Sequence, residues 1–156
     1  MRIIGVIIII FSSLAISRSF AAKIDVSVRS ATGVRTLLER TKAMIECYSL
    51  SASEILRRVE RSALIDCGYQ AINPPKSFLE LSEGACIGDA ETRELLSAFA
   101  KDFGRGYRAD ELSRCSLYLE RMRAREQKLI KESAKKKRVI FTVAICSSLA
   151  AIILVI

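Results

Sequence analysis

The sequence predicts an all-α fold: a small antiparallel helical bundle between an N-terminal and a C-terminal transmembrane helix. Three observations carry this. An uncharged apolar run stands near each end of the chain. Between them, apolar residues recur at helical spacing and are punctuated by capping residues. The composition is also poor in sheet formers, with no Trp, two Pro and 6% aromatic residues.

The first run, Ile3 to Ile16, is nearly pure aliphatic, and polarity returns at Ser17, Arg18 and Lys23. Taken as residues 1–22, it is long enough to span a bilayer with Arg18 at the interface. A secretory signal peptide fits the same residues: Arg2, an apolar core, then small residues before a cut after Ala21. The second run, residues 139–156, is 18 residues, about 27 Å as a helix against a hydrocarbon core of roughly 30 Å. Lys135, Lys136, Lys137 and Arg138 precede it directly.

Charge bears on the choice at the first run. Arg2 is the only cation before it, whereas Arg18, Lys23 and Arg29 follow. Before the second run stand Lys128, Lys131 and the Lys135–Arg138 cluster. Both flanks put the central residues in the cytosol and both termini outside. A cleaved signal peptide would instead export a C-terminally anchored domain and leave the KKKR cluster on the wrong side of its own anchor. Ala144 with Ser148, Ser147 with Ala151, and Ser13 with Ser17 are small pairs four apart. That spacing permits close helix packing in lipid, and with it a homo-oligomer or a pairing of the two spans.

Residues 23–138 form one domain. They hold all 17 acids and 23 of the 25 cations, a net charge of +6. Nine cations and two acids fall within residues 121–138. The remainder is near neutral, which speaks against a nucleic-acid surface. The basic stretch reads either as an orientation signal on a solvated helix or as a collar for anionic lipid headgroups.

Within the domain, Val34, Leu37, Leu38, Thr41, Met44, Ile45 and Tyr48 share one helical face. Ser51 with Glu54 is a capping box, so a second helix starts near Ala52. Gly68, Asn73, Pro74 and Pro75 make residues 66–75 a loop. Ser77 to Leu81 form a short helix closed by Gly84. Asp89 caps a helix bearing Leu95, Leu96, Phe99 and Phe103, which ends at Gly104. From Asp110 no Pro or Gly interrupts the chain, so residues 110–156 can form one helix. Leu112, Cys115, Leu119, Met122 and Leu129 make a heptad-like seam whose skipped position is Glu126. The seam is either a core-facing stripe or an intermolecular coiled coil.

No catalytic constellation is present. The chain has no His, which excludes Ser-His-Asp and Cys-His arrangements and His-containing zinc sites. It has no phosphate-binding G-x-x-x-x-G-K-[ST] loop. None of the five cysteines (Cys47, Cys67, Cys86, Cys115, Cys146) forms C-x-x-C, and the four in the domain read as reduced and mostly buried. Glu91 and Glu94 beside Arg93 look like a solvated face. No enzyme activity, cofactor or metal is expected.

The order of features resembles a known family. LLER-x3-MI-x-C (Leu37 to Cys47), SLSASEILRRV (Ser49 to Val59) and LLSAFAKDFGRGYRADEL (Leu95 to Leu112) are followed by a long charged helix and a basic-flanked span. This is similar to stage III sporulation protein AB of endospore-forming bacteria. The family motif pairs a Phe-Gly step with a Leu-Gly step, then an acid and a Gln. Here Phe99 precedes Ala100, Phe103-Gly104 stands for the Leu-Gly step, Tyr107 takes the acid's place and Glu111 that of the Gln. Ser147-Ser148 replaces a common Gly-Gly pair. The resemblance implies a soluble domain like that of type II secretion inner-membrane platform proteins. It also implies a non-enzymatic scaffold in the mother-cell membrane around the forespore, within a channel or secretion-like apparatus. The implied partners are a cytosolic secretion-type ATPase and other stage III sporulation membrane proteins. Phe99, Phe103, Gly104 and Glu111 are expected to form a structural turn, with Lys135 to Arg138 at the membrane.

Overall fold

The computed structural model describes the backbone of residues 2–48 and 50–155, and the side chains of 12, 15, 17–48 and 50–150. Among the described residues six helices follow in order: α1 (Arg2–Cys47), α2 (Ala52–Arg58), α3 (Arg61–Asp66), α4 (Phe78–Gly84), α5 (Ala90–Asp102) and α6 (Arg108–Val155). Among the described residues there is no strand, only one antiparallel bridge between Tyr69 and Ala85. The all-α expectation holds.

Two compact units divide the chain: residues 27–129, and the residues up to Val26 together with those from Ile130. In the first, α1 and α6 run antiparallel. Thr32 meets Glu126, Glu39 meets Arg123 and Arg108 meets the Glu46 carbonyl, so α1 numbers rise as α6 numbers fall. Leu37, Leu38 and Val34 of α1 are buried with Cys115, Leu119 and Met122 of α6. The short helices add Ile55, Leu56, Leu64, Phe78 and Leu81 to the same core. The heptad-like seam is therefore a core-facing stripe of this chain.

Local signals account for the starts of α2, α4 and α5. Glu54 accepts from the Ser51 backbone N–H at 2.9 Å, the reciprocal arm of a capping box. The Ser77 and Asp89 side chains accept from the N–H groups of Glu80 and Thr92. Helix α3 begins after Glu60 with no side-chain cap, so no local signal in the sequence marks it. Packing forms it instead. Gly33 lets α1 approach so closely that a Cβ there would lie 2.4 Å from the Asp66 carbonyl carbon. Arg29 also reaches Asp66, at 2.7 Å.

Two expectations need correction. Tyr48 is exposed rather than on the buried face, because α1 ends at Cys47; its ring lies beneath the Arg58 guanidinium. Of the four domain cysteines, Cys67 and Cys115 are buried but Cys47 and Cys86 are exposed.

In the second unit, Asp25 pairs with Lys137 and Ser17 is buried. Val139, Val143, Ile145 and Leu149 all stand exposed. The hydroxyls of Thr142, Ser147 and Ser148 each donate to the carbonyl four residues earlier in α6. Among the described residues, no helix is long and apolar enough to cross a membrane. Most of the predicted first span, and residues 151–156 of the second, lie outside the described side chains.

Candidate functional site

The turn from α5 to α6 brings together all four residues of the expected motif. Phe99 is buried, with its ring centroid 5.2 Å from Phe78, 5.1 Å from Phe103 and 5.6 Å from Tyr118. Edge-on contacts of this kind hold the end of α5 against α4 and α6. Gly104 follows at φ +84°, the left-handed residue past the helix end.

Glu111 then closes the turn. It is 6% exposed, and its Oε1 accepts from the N–H groups of Arg105 and Gly106 at 3.1 and 3.0 Å. Arg114 donates to the same oxygen at 3.0 Å and to the Asp102 carbonyl at 2.7 Å. Glu111 lies in the first turn of α6, where the helix dipole favours an acid. The geometry adds a second task, because one carboxylate ties the loop to the helix that follows it. Its Oε2 is buried without a hydrogen-bond partner among the described residues. The Tyr118 hydroxyl donates to Asp102 at 2.6 Å. Burial, then that carboxylate, push the phenol above its ordinary range.

Outside this anchor the turn is open. Tyr107 is 87% exposed, and Arg105 and Arg108 flank it in solvent. Beside it a cavity of about 390 Å³ is bounded by Ile45, Leu50, Phe103 and Gly104. A turn pinned by Glu111 and presenting an exposed aromatic ring beside two exposed arginines, of which Arg108 also donates to the Glu46 carbonyl of α1, suits protein recognition.

A second anchor was not legible from spacing. Arg125 of α6, with a largely covered side chain, pairs with Asp89 at 2.5 Å and Glu91 at 2.6 Å. Burial alone would push the Asp89 carboxyl up. The Arg125 hydrogen bond, with those from Thr92, outweighs it and holds Asp89 at about 2. Glu91 thus has a partner on a face that is otherwise solvated as expected, with Glu91, Arg93 and Glu94 all exposed. Nearby, Glu39 is lowered by Arg123 first and then, against the cost of burial, by Arg35.

The cysteines offer no reactive thiolate in the core. Burial, together with nearby acids, pushes Cys67 and Cys115 up to about 12. Among the described residues no cluster of His, Cys, Asp and Glu could hold a metal ion. In the basic cluster, Lys137 pairs with Asp25 while Lys135, Lys136 and Arg138 are exposed.

A family model for stage III sporulation protein AB matches residues 78–156, from the start of α4 onward. The chain belongs to the stage III sporulation protein AB family. Its role lies in sporulation. No curated protein and no solved structure matches it significantly. The family match covers the aromatic cluster, the Gly104 turn, Glu111, Arg125 and the basic cluster. The part of the stage III sporulation protein AB fold built by α1, α2 and α3 lies before the match.

Proposed function

We propose that this stage III sporulation protein AB chain is a non-enzymatic membrane platform in the mother-cell membrane around the forespore. It serves a channel or secretion-like apparatus and docks a cytosolic secretion-type ATPase. The observation that carries the reading is the α5–α6 turn. Within the matched region, a fixed backbone displays Tyr107, Arg105 and Arg108 outward. Such a surface recognises a partner without performing chemistry of its own. Other stage III sporulation membrane proteins would contact the apolar helices.

Two features support a membrane setting for those helices. Val139, Val143, Ile145 and Leu149 are exposed, as lipid-facing residues are. The hydroxyls in the same stretch are satisfied within the helix, so they demand nothing of a hydrocarbon neighbour. The basic residues before Val139 then orient the chain with the 27–129 unit in the cytosol.

The test is a pull-down of the secretion-type ATPase by the full chain from sporulating cells. Capture by wild type and loss in Tyr107→Ala with Arg108→Ala supports the docking surface. Equal capture by the variant places the contact elsewhere. Cys86 is exposed, so an impermeant thiol reagent reports its side of the membrane. Labelling from outside intact cells would favour the exported, C-terminally anchored domain with a cleaved signal peptide. A deletion strain should stop after engulfment, with normal vegetative growth.

A further inference from the structure

In the unit containing the ends of the chain, α1 and α6 leave a groove of about 420 Å³. Its walls are Ser17 and Phe20 of α1 and Val139, Ile140, Val143 and Ala144 of α6. The groove is apolar in effect as well as in composition. The Ser147 hydroxyl at its edge donates to the Val143 carbonyl at 2.7 Å, and the Ser17 side chain is buried and already engaged.

One end of the groove is cationic. The Lys23 Nζ lies 6.0 Å from the centroid of the Phe20 ring. On α6, the wall residues Ile140, Val143 and Ser147 continue one turn back to Lys136, and Val139 continues to Lys135, at the four-residue spacing that aligns side chains on one helix face. Both lysines are exposed and have no acidic partner among the described residues. Lys137, by contrast, is neutralised by Asp25.

We infer that this groove holds an acyl chain of an anionic phospholipid, with the phosphate at the rim formed by Lys23, Lys135 and Lys136. An apolar trough with a cationic mouth complements an amphiphile with an anionic head. A neighbouring apolar helix could fill the trough but would leave Lys135 and Lys136 unanswered. The inference rests on the membrane reading above. It goes further by giving the basic cluster a specific ligand in addition to its orienting role.

Native mass spectrometry of the full chain in mild detergent tests it, using phosphatidylglycerol and phosphatidylethanolamine of matched acyl chains. Phosphatidylglycerol should bind preferentially. Lys136→Gln should weaken it roughly fivefold, and Ala144→Phe, which fills the groove, should displace it. Ser147→Leu intrudes less and replaces Ala144→Phe should that variant not fold. Equal binding of the two lipids overturns the inference, as does phosphatidylglycerol binding unchanged in these variants. It also falls if Ala144→Phe breaks an oligomer while lipid binding persists, since the groove then belongs to a second helix. Alkaline extraction separates the two readings. Release of wild-type chain from membranes removes both, whereas retention without lipid preference removes only this one.

Discussion

Glu126 of α6 accepts the Thr32 hydroxyl of α1 at 2.6 Å, joining residues 94 apart in the chain. Its other oxygen lies 2.7 Å from Arg35 Nε. This is the one charged position in the apolar seam of α6, and it pairs with polar groups of the facing helix. Glu126→Ala would leave Thr32 and a largely covered Arg35 short of a partner. The expected cost is about 2 kcal/mol, below the range for a fully buried pair because Arg35 retains Glu39. Chemical denaturation measures it, and a loss under about 0.5 kcal/mol would mean that the pair behaves as a surface contact.

Asp89 should make stability sensitive to acid. Its folded pKa of about 2 lies below the ordinary aspartate value of 3.8. A depressed carboxyl contributes stability that is complete above the unfolded value and is lost as pH falls through the folded one. The window therefore runs from roughly pH 4 down to pH 2, with a contribution on the order of 2 kcal/mol. Asp89→Asn should flatten this part of the stability profile and lower the plateau. A slope unchanged by the substitution would assign the acid sensitivity to other groups.

Glu111 separates acceptor geometry from charge. Glu111→Gln keeps an oxygen for the N–H groups of Arg105 and Gly106 and should cost under about 1 kcal/mol. Glu111→Ala leaves both donors short of an acceptor and should cost about 2 kcal/mol. Faster amide exchange at Arg105 and Gly106 in the alanine variant alone would locate the effect. Equal exchange in both variants would show that charge, not the acceptor, holds the turn.

Gly33 and Gly104 should respond to alanine for different reasons. At Gly104 a Cβ meets nothing within 4 Å, so Gly104→Ala suffers only the left-handed backbone and costs about 1 kcal/mol. At Gly33 the new methyl would collide with backbone, which cannot rotate away. Gly33→Ala should cost at least about 3 kcal/mol. Thermal melts rank the pair, and the reverse order would contradict the α1–α3 contact.

Alkylation should sort the domain cysteines. Cys47 and Cys86 should react with maleimide at pH 8 in the folded chain, while Cys67 and Cys115 resist until unfolding. Mass spectrometry after a timed quench reads all four. Early modification of Cys115 would mean that the seam opens readily.

What was legible in the sequence was mostly local. Ser77, Asp89 and Gly104 act on neighbours within a turn, so spacing alone placed them. The α6 seam was visible because the 3.6-residue period repeats along the helix. Helix α3 was not, since six residues without a side-chain cap carry little periodic signal. Arg125 was hidden differently. It stands among nine cations that look uniformly solvated, and only a partner 36 residues away sets it apart. At the α5–α6 turn the motif residues were legible, but Arg114 and the buried acceptor geometry of Glu111 emerge only once α5 and α6 are packed.

The contact at Gly33 also bears on descent. Residue 33 lies before the matched segment. Its constraint is imposed by the Asp66 backbone, whatever side chain position 66 carries. A change of side chain at position 66 would therefore still leave position 33 without one. In a distant relative, that single letter tells whether the first half is still built in the same way.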